Sequence, residues 1–486
     1  MNVATMLSEL AQDDPGRPVL TVGDTTLTRG ELEARANRQA RAYRELGVGP
    51  DDLVVLALPN GIEHVVACHA IWKLGAIPVP VSPSLAPREF AEIVELAGPR
   101  LVVGTAVSGR PSVPAGSAVD ESADAGPLPA VPVARTWRVS TSGGSTGRPK
   151  LIVAGQSADI APAFAQRLRL RPGQVQLVCG PLYHSSPFGW ATLGFGLGQH
   201  LIVLPRFSTT GTIAAIGRHR VNWMCLVPTM MLRIWRAIEA GAGYDFASLE
   251  TVWHMAAPCP PWVKRRWIDL VGAEQLLEAY AGTEGLAMTV IDGREWLSRP
   301  GSVGRAASGE ICVLRPDGTR AEPGETGEVF MRAAPGAGTY RYIGAEAHRL
   351  ADGWESIGDL GYLDADGYLY LNERKSDMIL VGGANVYPAE IEAVITEQPA
   401  VRSCAVVGLP DEDLGHRLHA VVQSGPGLDE PSLRAFLGDR LSAARQPHSY
   451  RFVDYSLRDD AGKLRRSRVL AAELAHLAQA SGGAGR

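Results

Sequence analysis

The chain has 486 residues, 45% of them hydrophobic and 20% charged, with a net charge of −5. This length suits about three domains or subdomains, and the composition is that of a globular protein. Lys and Arg are spread through the chain, which argues against a nucleic-acid or anionic-membrane surface as its main business.

Thr28-x-x-Glu31 is a capping-box pattern and opens an amphipathic helix that runs to Leu46 and stops at Gly47. Leu53 to Leu58 is a short apolar run between Asp51-Asp52 and Pro59-Asn60-Gly61, which predicts a buried parallel strand. A helix over Glu63 to Leu74, a strand at Ile77 to Val81 and another at Leu101 to Val103 follow. Strands alternating with helices predict an α/β fold with a mostly parallel sheet. From Gly104 to Val133 the composition shifts to Gly, Pro, Ser, Ala and Asp, which predicts an exposed loop with little role in chemistry. Ser140 to Lys150 comes next, flanked by Trp137-Arg138-Val139 and Leu151-Ile152-Val153, so the loop should join two strands. Beyond it, strands are predicted at Leu201 to Leu204 and Trp223 to Val227, and helices over Thr209 to His219 and Trp262 to Leu277. Shorter strands at Glu310 to Leu314 and Gly327 to Met331 form a meander, and Asp364 to Gly367 fits a hairpin turn. After Arg374 the pattern restarts with its own strands and helices, a small α+β domain behind a hinge near 374–377.

The six cysteines are scattered, with no C-x-x-C and no His at ligand spacing, and read as reduced core thiols of a cytoplasmic protein. Met1 to Gly16 has no basic stretch of the kind a secretory leader carries. No apolar run reaches the ~18 residues of a membrane span.

Five clusters carry chemistry. In the first, Gly143, Gly144 and Gly147 let the backbone approach a ligand. Ser142, Ser145 and Thr146 offer hydroxyls, successive N–H groups can form an anion nest, and Lys150 adds charge. It is not a G-x-x-x-x-G-K-[ST] loop, and taken alone it also fits a plain Gly/Ser-rich hairpin. The second is Tyr280-Ala-Gly-Thr-Glu-Gly285: Tyr280 can stack on a nucleobase, Thr283 can donate to phosphate, and Glu284 can hold Mg²⁺. The third is Gly358-Asp359-Leu360-Gly361, with Asp359 suited to a ribose diol. The fourth runs from Glu373-Arg374 through Ser376 and Gly382-Gly383 to Glu392. The fifth is Ala461-Gly462-Lys463-Leu464-Arg465-Arg466. Each has a bland reading on its own, as a turn, a charge run or a basic tail.

In this order the five clusters resemble the adenylate-forming superfamily of acyl-CoA synthetases, adenylation domains and firefly luciferase, over almost the whole chain. Pro181 to Phe188, Val227 to Trp235 and Val252 to Cys259 look like bacterial CoA ligases acting on bile-acid, steroid or related polycyclic acids. The resemblance implies a large N-terminal domain of α/β subdomains, 1–374, and a smaller mobile C-terminal domain, 375–486. It also implies a two-step reaction using ATP, Mg²⁺ and coenzyme A. A carboxylate attacks the α-phosphate, giving acyl-adenylate and pyrophosphate, and the thiol of coenzyme A then displaces AMP. Ser142 to Gly147 and Lys150 would hold the β- and γ-phosphates. Ala256, Ala257, Pro258 and Tyr280 would flank adenine, and Asp359 would bind ribose with Arg374 beside it. Thr283 would meet phosphate, and Glu284 would bind the metal. Lys463 would bridge carboxylate and α-phosphate, and His184 would lie near the acyl carbonyl. Ser376 stands at the hinge position, and Gly382 and Gly383 would line the pantetheine tunnel.

The departures are specific. The usual Thr-Ser-Gly-Ser-Thr-Gly is Ser142-Gly-Gly-Ser-Thr-Gly147, the hinge is Ser376 in place of Asp or Lys, and Glu373 stands where Asp or Gly is usual. Before Lys463 the usual proline is lost and Asp459-Asp460 appear. Exposed to solvent, those carboxylates do little; if they face the lysine instead, adenylation weakens and the chain mainly converts a supplied acyl-adenylate. The partner expected is a small bulky, apolar carboxylic acid; loading of a carrier protein and a non-catalytic nucleotide-binding role are the alternatives, and a homodimer is left open. Pro181 to His200 has no Asp or Glu to hold an α-amine. Phe188, Trp190, Met230 and His254 are the candidate walls of the acyl pocket, with ordinary core packing as their alternative.

Overall fold

The structure, a computed structural model, describes residues 2–117, 120–143, 149–159, 163–335, 340–375, 377–381, 384–442, 445–459 and 462–482. Thr28 caps the helix Arg29–Glu45 with both halves of the capping box formed. The short apolar runs become parallel strands buried on both faces. Leu53–Leu56 lies between Ile77–Pro80 and Leu101–Gly104, and Ser112–Pro114 joins the edge of this sheet. That edge strand sits inside the stretch expected to be an exposed loop. The stretch is also tied down, because Asn37, Arg38 and Arg41 donate to the carbonyls of Ala125, Ala123 and Gly126.

A second sheet of fourteen strands carries the site. Its centre is parallel: His200–Val203, Val175–Val178, Trp223–Leu226, Thr251–His254 and Leu276–Ala281 lie side by side in that order. Antiparallel strands Met288–Asp292 and Ser302–Ser308 lead on to Leu369–Arg374 and Glu355–Leu363. The helix before Leu276–Ala281 is shorter than the sequence predicts. It spans Pro261–Val271, because Gly272 turns the chain at φ 99° and Leu276 and Leu277 enter the sheet. The parallel strands all end toward one cleft, and the residues just after them line it: Pro181, Val227, Met255 and Gly282 among others. Ligands of open α/β sheets bind at these carboxyl ends.

The segment from Ser140 to Lys150 does join two strands. Val139–Gly143 pairs antiparallel with Pro149–Val153, and Arg341–Ile343 pairs with the latter. Beyond Arg374, the strands Val401–Asp411, Gly415–Ser424 and Ser449–Val453 form a separate three-stranded sheet. It has its own core around Ile391, Ile395, Cys404, Leu418 and Leu433. All six cysteines are unpaired, and four of them are buried. Among the described residues no helix is long and apolar enough to cross a membrane.

Candidate active site

A cleft of about 2480 Å³ opens between the carboxyl ends of the large sheet and the C-terminal elements. Lys150, on the second strand of the loop hairpin, sits over the Tyr342 ring, 3.8 Å from its centre, with Nζ 3.9 Å from Glu284 Oε1. Tyr342 donates to that same oxygen at 2.5 Å. Burial lowers the Lys150 pKa, and the nearby Glu284 carboxylate opposes the shift. Glu284 Oε2 makes no hydrogen bond among the described residues. Such an oxygen, in a cleft that Lys150 also enters, suits Mg²⁺, which binds through one or two carboxylates plus phosphate oxygens.

Beside this group, Tyr280 donates to Asp359 Oδ2 at 2.6 Å, and Arg374 Nε lies 3.3 Å from Asp359 Oδ1. Strand pairing sets this up, since Asp359 and Arg374 are direct partners in register. Burial raises the Asp359 pKa, and Arg374 pulls it back. Ala256, after strand Thr251–His254, holds φ 74°, a left-handed conformation rare for a residue with a Cβ. Ala256, Ala257, Pro258 and Thr283 all line the cleft.

Lys463 enters from the C-terminal side. It keeps access to solvent through the cleft, yet protein surrounds it closely enough that desolvation lowers its pKa. Asp459 opposes that shift, while Arg374 and Arg465 add to it. His184 precedes the helix Ser185–Gly196 and lines the cleft. Burial, reinforced by Lys463 and Arg465, pushes its pKa down to about 3, so the ring is neutral. The structure thus brings Lys150, Glu284, Arg374, Lys463 and His184 to one cleft, from segments more than 300 residues apart.

Two of the four candidate wall residues line the cleft, Trp190 and Met230. Phe188 instead packs in the core, stacked on Trp137 at 5.8 Å and against Trp72. His254 is fully buried, 3.8 Å from Glu278, whose charge Lys264 balances at 2.5 Å. The calls on Gly144, Ser145, Thr146, Gly147, Ser376, Gly382, Gly383 and Asp460 lie outside the described residues; for Ser142 and Gly143 only the strand backbone is described. Sequence reasoning missed Tyr342, Arg138 and Glu89. Arg138 was the one legible exception, a charge in the apolar flank of the phosphate loop. Glu89 accepts from Arg465 at 3.2 Å and Arg468 at 2.9 Å, linking the helix Pro87–Ala97 to the segment that carries Lys463.

Residues 7–341 match the family model of AMP-binding enzymes, and residues 390–463 match that of the AMP-binding enzyme C-terminal domain. The chain is 30% identical to the fatty acid–[acyl-carrier-protein] ligase ScoC of Streptomyces coeruleorubidus, over 94% of this chain and 93% of that one. It is 29% identical to a methyl-dioxo-octahydroindenyl-propanoyl:CoA ligase of Mycobacterium tuberculosis, over 95% and 97% of the two chains. Among solved structures, the o-succinylbenzoate CoA synthetase MenE of Bacillus subtilis, bound to its acyl-adenylate, superposes with a TM-score of 0.81 at 25% identity. That match covers 96% of this chain and 98% of the other.

Proposed function

The chain belongs to the AMP-binding enzyme family and is an AMP-forming acid–thiol ligase using ATP, Mg²⁺ and coenzyme A, and we propose that its acid is bulky and largely apolar. The observation that carries this reading is the lining of the cleft beside His184. Trp190, Leu193, Met230 and Met255 form apolar wall there, and no carboxylate on the helix Ser185–Gly196 is available to receive an amine. Burying a ring system against such residues is worth roughly 25 cal/mol per Å² of apolar surface.

The roles follow from charge. Carboxylate and triphosphate repel, so the first step needs cations where they meet. Lys150 faces the phosphates beside Glu284, and Lys463 lies between the incoming carboxylate and the α-phosphate. Mg²⁺, when bound, screens phosphate charge, and Glu284 is the residue that would hold it. Asp359, oriented by Tyr280 and Arg374, accepts from the ribose hydroxyls. The neutral His184 ring stands next to the acyl carbon, where it can pack without adding charge. In the second step the C-terminal elements, 375–486, turn so that Lys463 leaves and the thiol enters, with Ser376 as the pivot and Gly382 and Gly383 along the thiol's path.

A second reading replaces coenzyme A by a carrier protein, and the similarity to a carrier-protein ligase favours keeping it in the test. The experiment is pyrophosphate release with ATP and a panel of aromatic, polycyclic, fatty and amino acids, followed by thiol transfer to coenzyme A or to carrier proteins. Bulky apolar acids should be preferred. Efficient activation of a common α-amino acid would overturn the reading.

A further inference from the structure

Arg138 stands just before the strand that leads into the phosphate loop, and it lines the cleft. Its guanidinium lies over the Trp137 ring at 4.3 Å, and one nitrogen, Nη1, donates to the carbonyl of Ser185. No carboxylate pairs with it among the described residues. Four acidic groups of the cleft are engaged elsewhere: Glu89 by Arg465 and Arg468, Glu278 by Lys264, Glu284 by Lys150 and Tyr342, Asp359 by Tyr280 and Arg374. Burial alone, with no opposing charge, pushes the Arg138 pKa down to about 9. The guanidinium is half-buried and faces the cleft without a carboxylate partner among the described residues, and one hydrogen bond to a carbonyl does not use a fork of five donors.

Its backbone stands back from the loop that follows the strand. Four residues of extended chain at ~3.3 Å each put Arg138 about 13 Å from Ser142 and the phosphate loop. It borders the acyl wall instead. Ser186, Gly189, Trp190 and Leu193 follow helical spacing along the cleft side of Ser185–Gly196. A Cβ placed on Gly189 would lie 3.6 Å from Arg138 Nη1, so the missing side chain leaves room beside the guanidinium.

We propose that Arg138 binds a second carboxylate of the acid substrate, beside the first turn of the helix that His184 precedes. The second carboxylate then meets a planar donor pair matched to its geometry while the apolar body lies along the wall. This rests on the reading of the chain as a ligase for a bulky acid and narrows it to diacids.

The test is a set of matched acids that differ only in the second carboxylate: 2-succinylbenzoate against 4-oxo-4-phenylbutanoate, homophthalate against phenylacetate, and nonanedioate against nonanoate. Pyrophosphate release gives kcat/KM for each, with wild type, Arg138→Leu and Arg138→Lys. In at least one pair the wild type should favour the diacid by ~10- to 100-fold, the range of a charge-assisted hydrogen bond. Arg138→Leu should collapse that ratio to one or below, and Arg138→Lys should restore part of it. A monoacid preference in every pair overturns the proposal, as does a diacid preference unchanged in Arg138→Leu. If Arg138→Leu does not fold, the wild-type ratios and Arg138→Lys decide by the same criteria. Release from none of these acids, with a monoacid of the wider panel activated, overturns this proposal alone, as does release without diacid preference; release from no acid of either set overturns the parent reading and this one together.

Discussion

Glu89 is the contact most open to a quantitative test. Its carboxylate takes Arg465 on one oxygen and Arg468 on the other, across 376 and 379 residues of chain. Arg465 is two residues from Lys463, so the pair helps to hold the lysine in the cleft. Glu89 is 20% exposed, Arg465 39% and Arg468 63%, so both pairs are partly screened by water. Exposed pairs contribute about 0.2–1 kcal/mol each, and with the screening here the two together amount to about 1 kcal/mol. That is a factor of about five in the population of the arrangement with Lys463 in place. Glu89→Gln should therefore slow acid-dependent pyrophosphate release about fivefold and leave thioester formation from supplied acyl-adenylate unchanged or faster. Raising salt from about 0.05 M to about 0.5 M should slow the wild type's first step in the same way, because it shortens the Debye length. The variant should lose that extra sensitivity. Equal salt dependence in wild type and Glu89→Gln would refute the reasoning, since ATP binding alone would then account for it.

Three further outcomes follow from the geometry. Lys463→Ala should lower pyrophosphate release by about 10²–10³, as a lost charge-stabilising contact does, and keep most thiol transfer from supplied acyl-adenylate. Ala256→Gly should relieve the left-handed strain at φ 74°. The relief of ~1–2 kcal/mol less Gly's entropy cost predicts net stabilisation of about 0.5–1 kcal/mol, read as a higher urea midpoint. His64, His69, His184 and His254 are held neutral by burial, at about 4, 3, 3 and 4. Their folded pKa values lie below the unfolded one, so the unfolded chain binds more protons between them. Stability is then full above about pH 6.5 and falls as the pH drops toward 4, by up to about 1.4 kcal/mol per pH unit for each group. His69→Gln should flatten that slope in unfolding titrations.

Much of the fold was legible because short β-branched runs bounded by turn residues leave few alternatives to buried parallel strands. The capping box at Thr28 and Glu31 worked for the same reason, being a local pattern with a local consequence. The overlong helix after Trp262 failed because Leu276 and Leu277 extend an apolar pattern that only Gly272 interrupts. Phe188 and His254 were chosen for the acyl wall by side-chain type. Helical spacing would have done better for Phe188, since the cleft residues Ser186, Gly189, Trp190 and Leu193 form a stripe that leaves it on another face. Tyr342 on Glu284 and Arg465 on Glu89 were out of reach, because a contact between distant segments has no local signature. Arg138 was within reach. Its charge in an otherwise apolar flank asks for a partner.

The carboxylate before Lys463 illustrates how a sequence departure acquires a structural reason. Asp459 Oδ1 accepts the backbone N–H of Lys463 at 2.8 Å, and its own N–H donates to the Lys463 carbonyl at 3.0 Å. Gly462 donates back to the Asp459 carbonyl at 2.9 Å and takes φ 74°. A Cβ there would lie 2.2 Å from Thr229 Oγ1, so the turn is seated directly on the cleft wall. The carboxylate thus helps to build the turn that presents the lysine. Its charge still favours the protonated ammonium, but desolvation outweighs it. If the hydrogen bond is what matters, Asp459→Asn keeps an acceptor at Oδ1 and should retain pyrophosphate release within a few-fold. Asp459→Ala leaves the Lys463 N–H without that acceptor and should lose more, by roughly the tenfold that ~1.4 kcal/mol of a lost hydrogen bond represents. A gain of activity in Asp459→Asn would instead mean that the negative charge opposes ATP, and the turn would then be secondary.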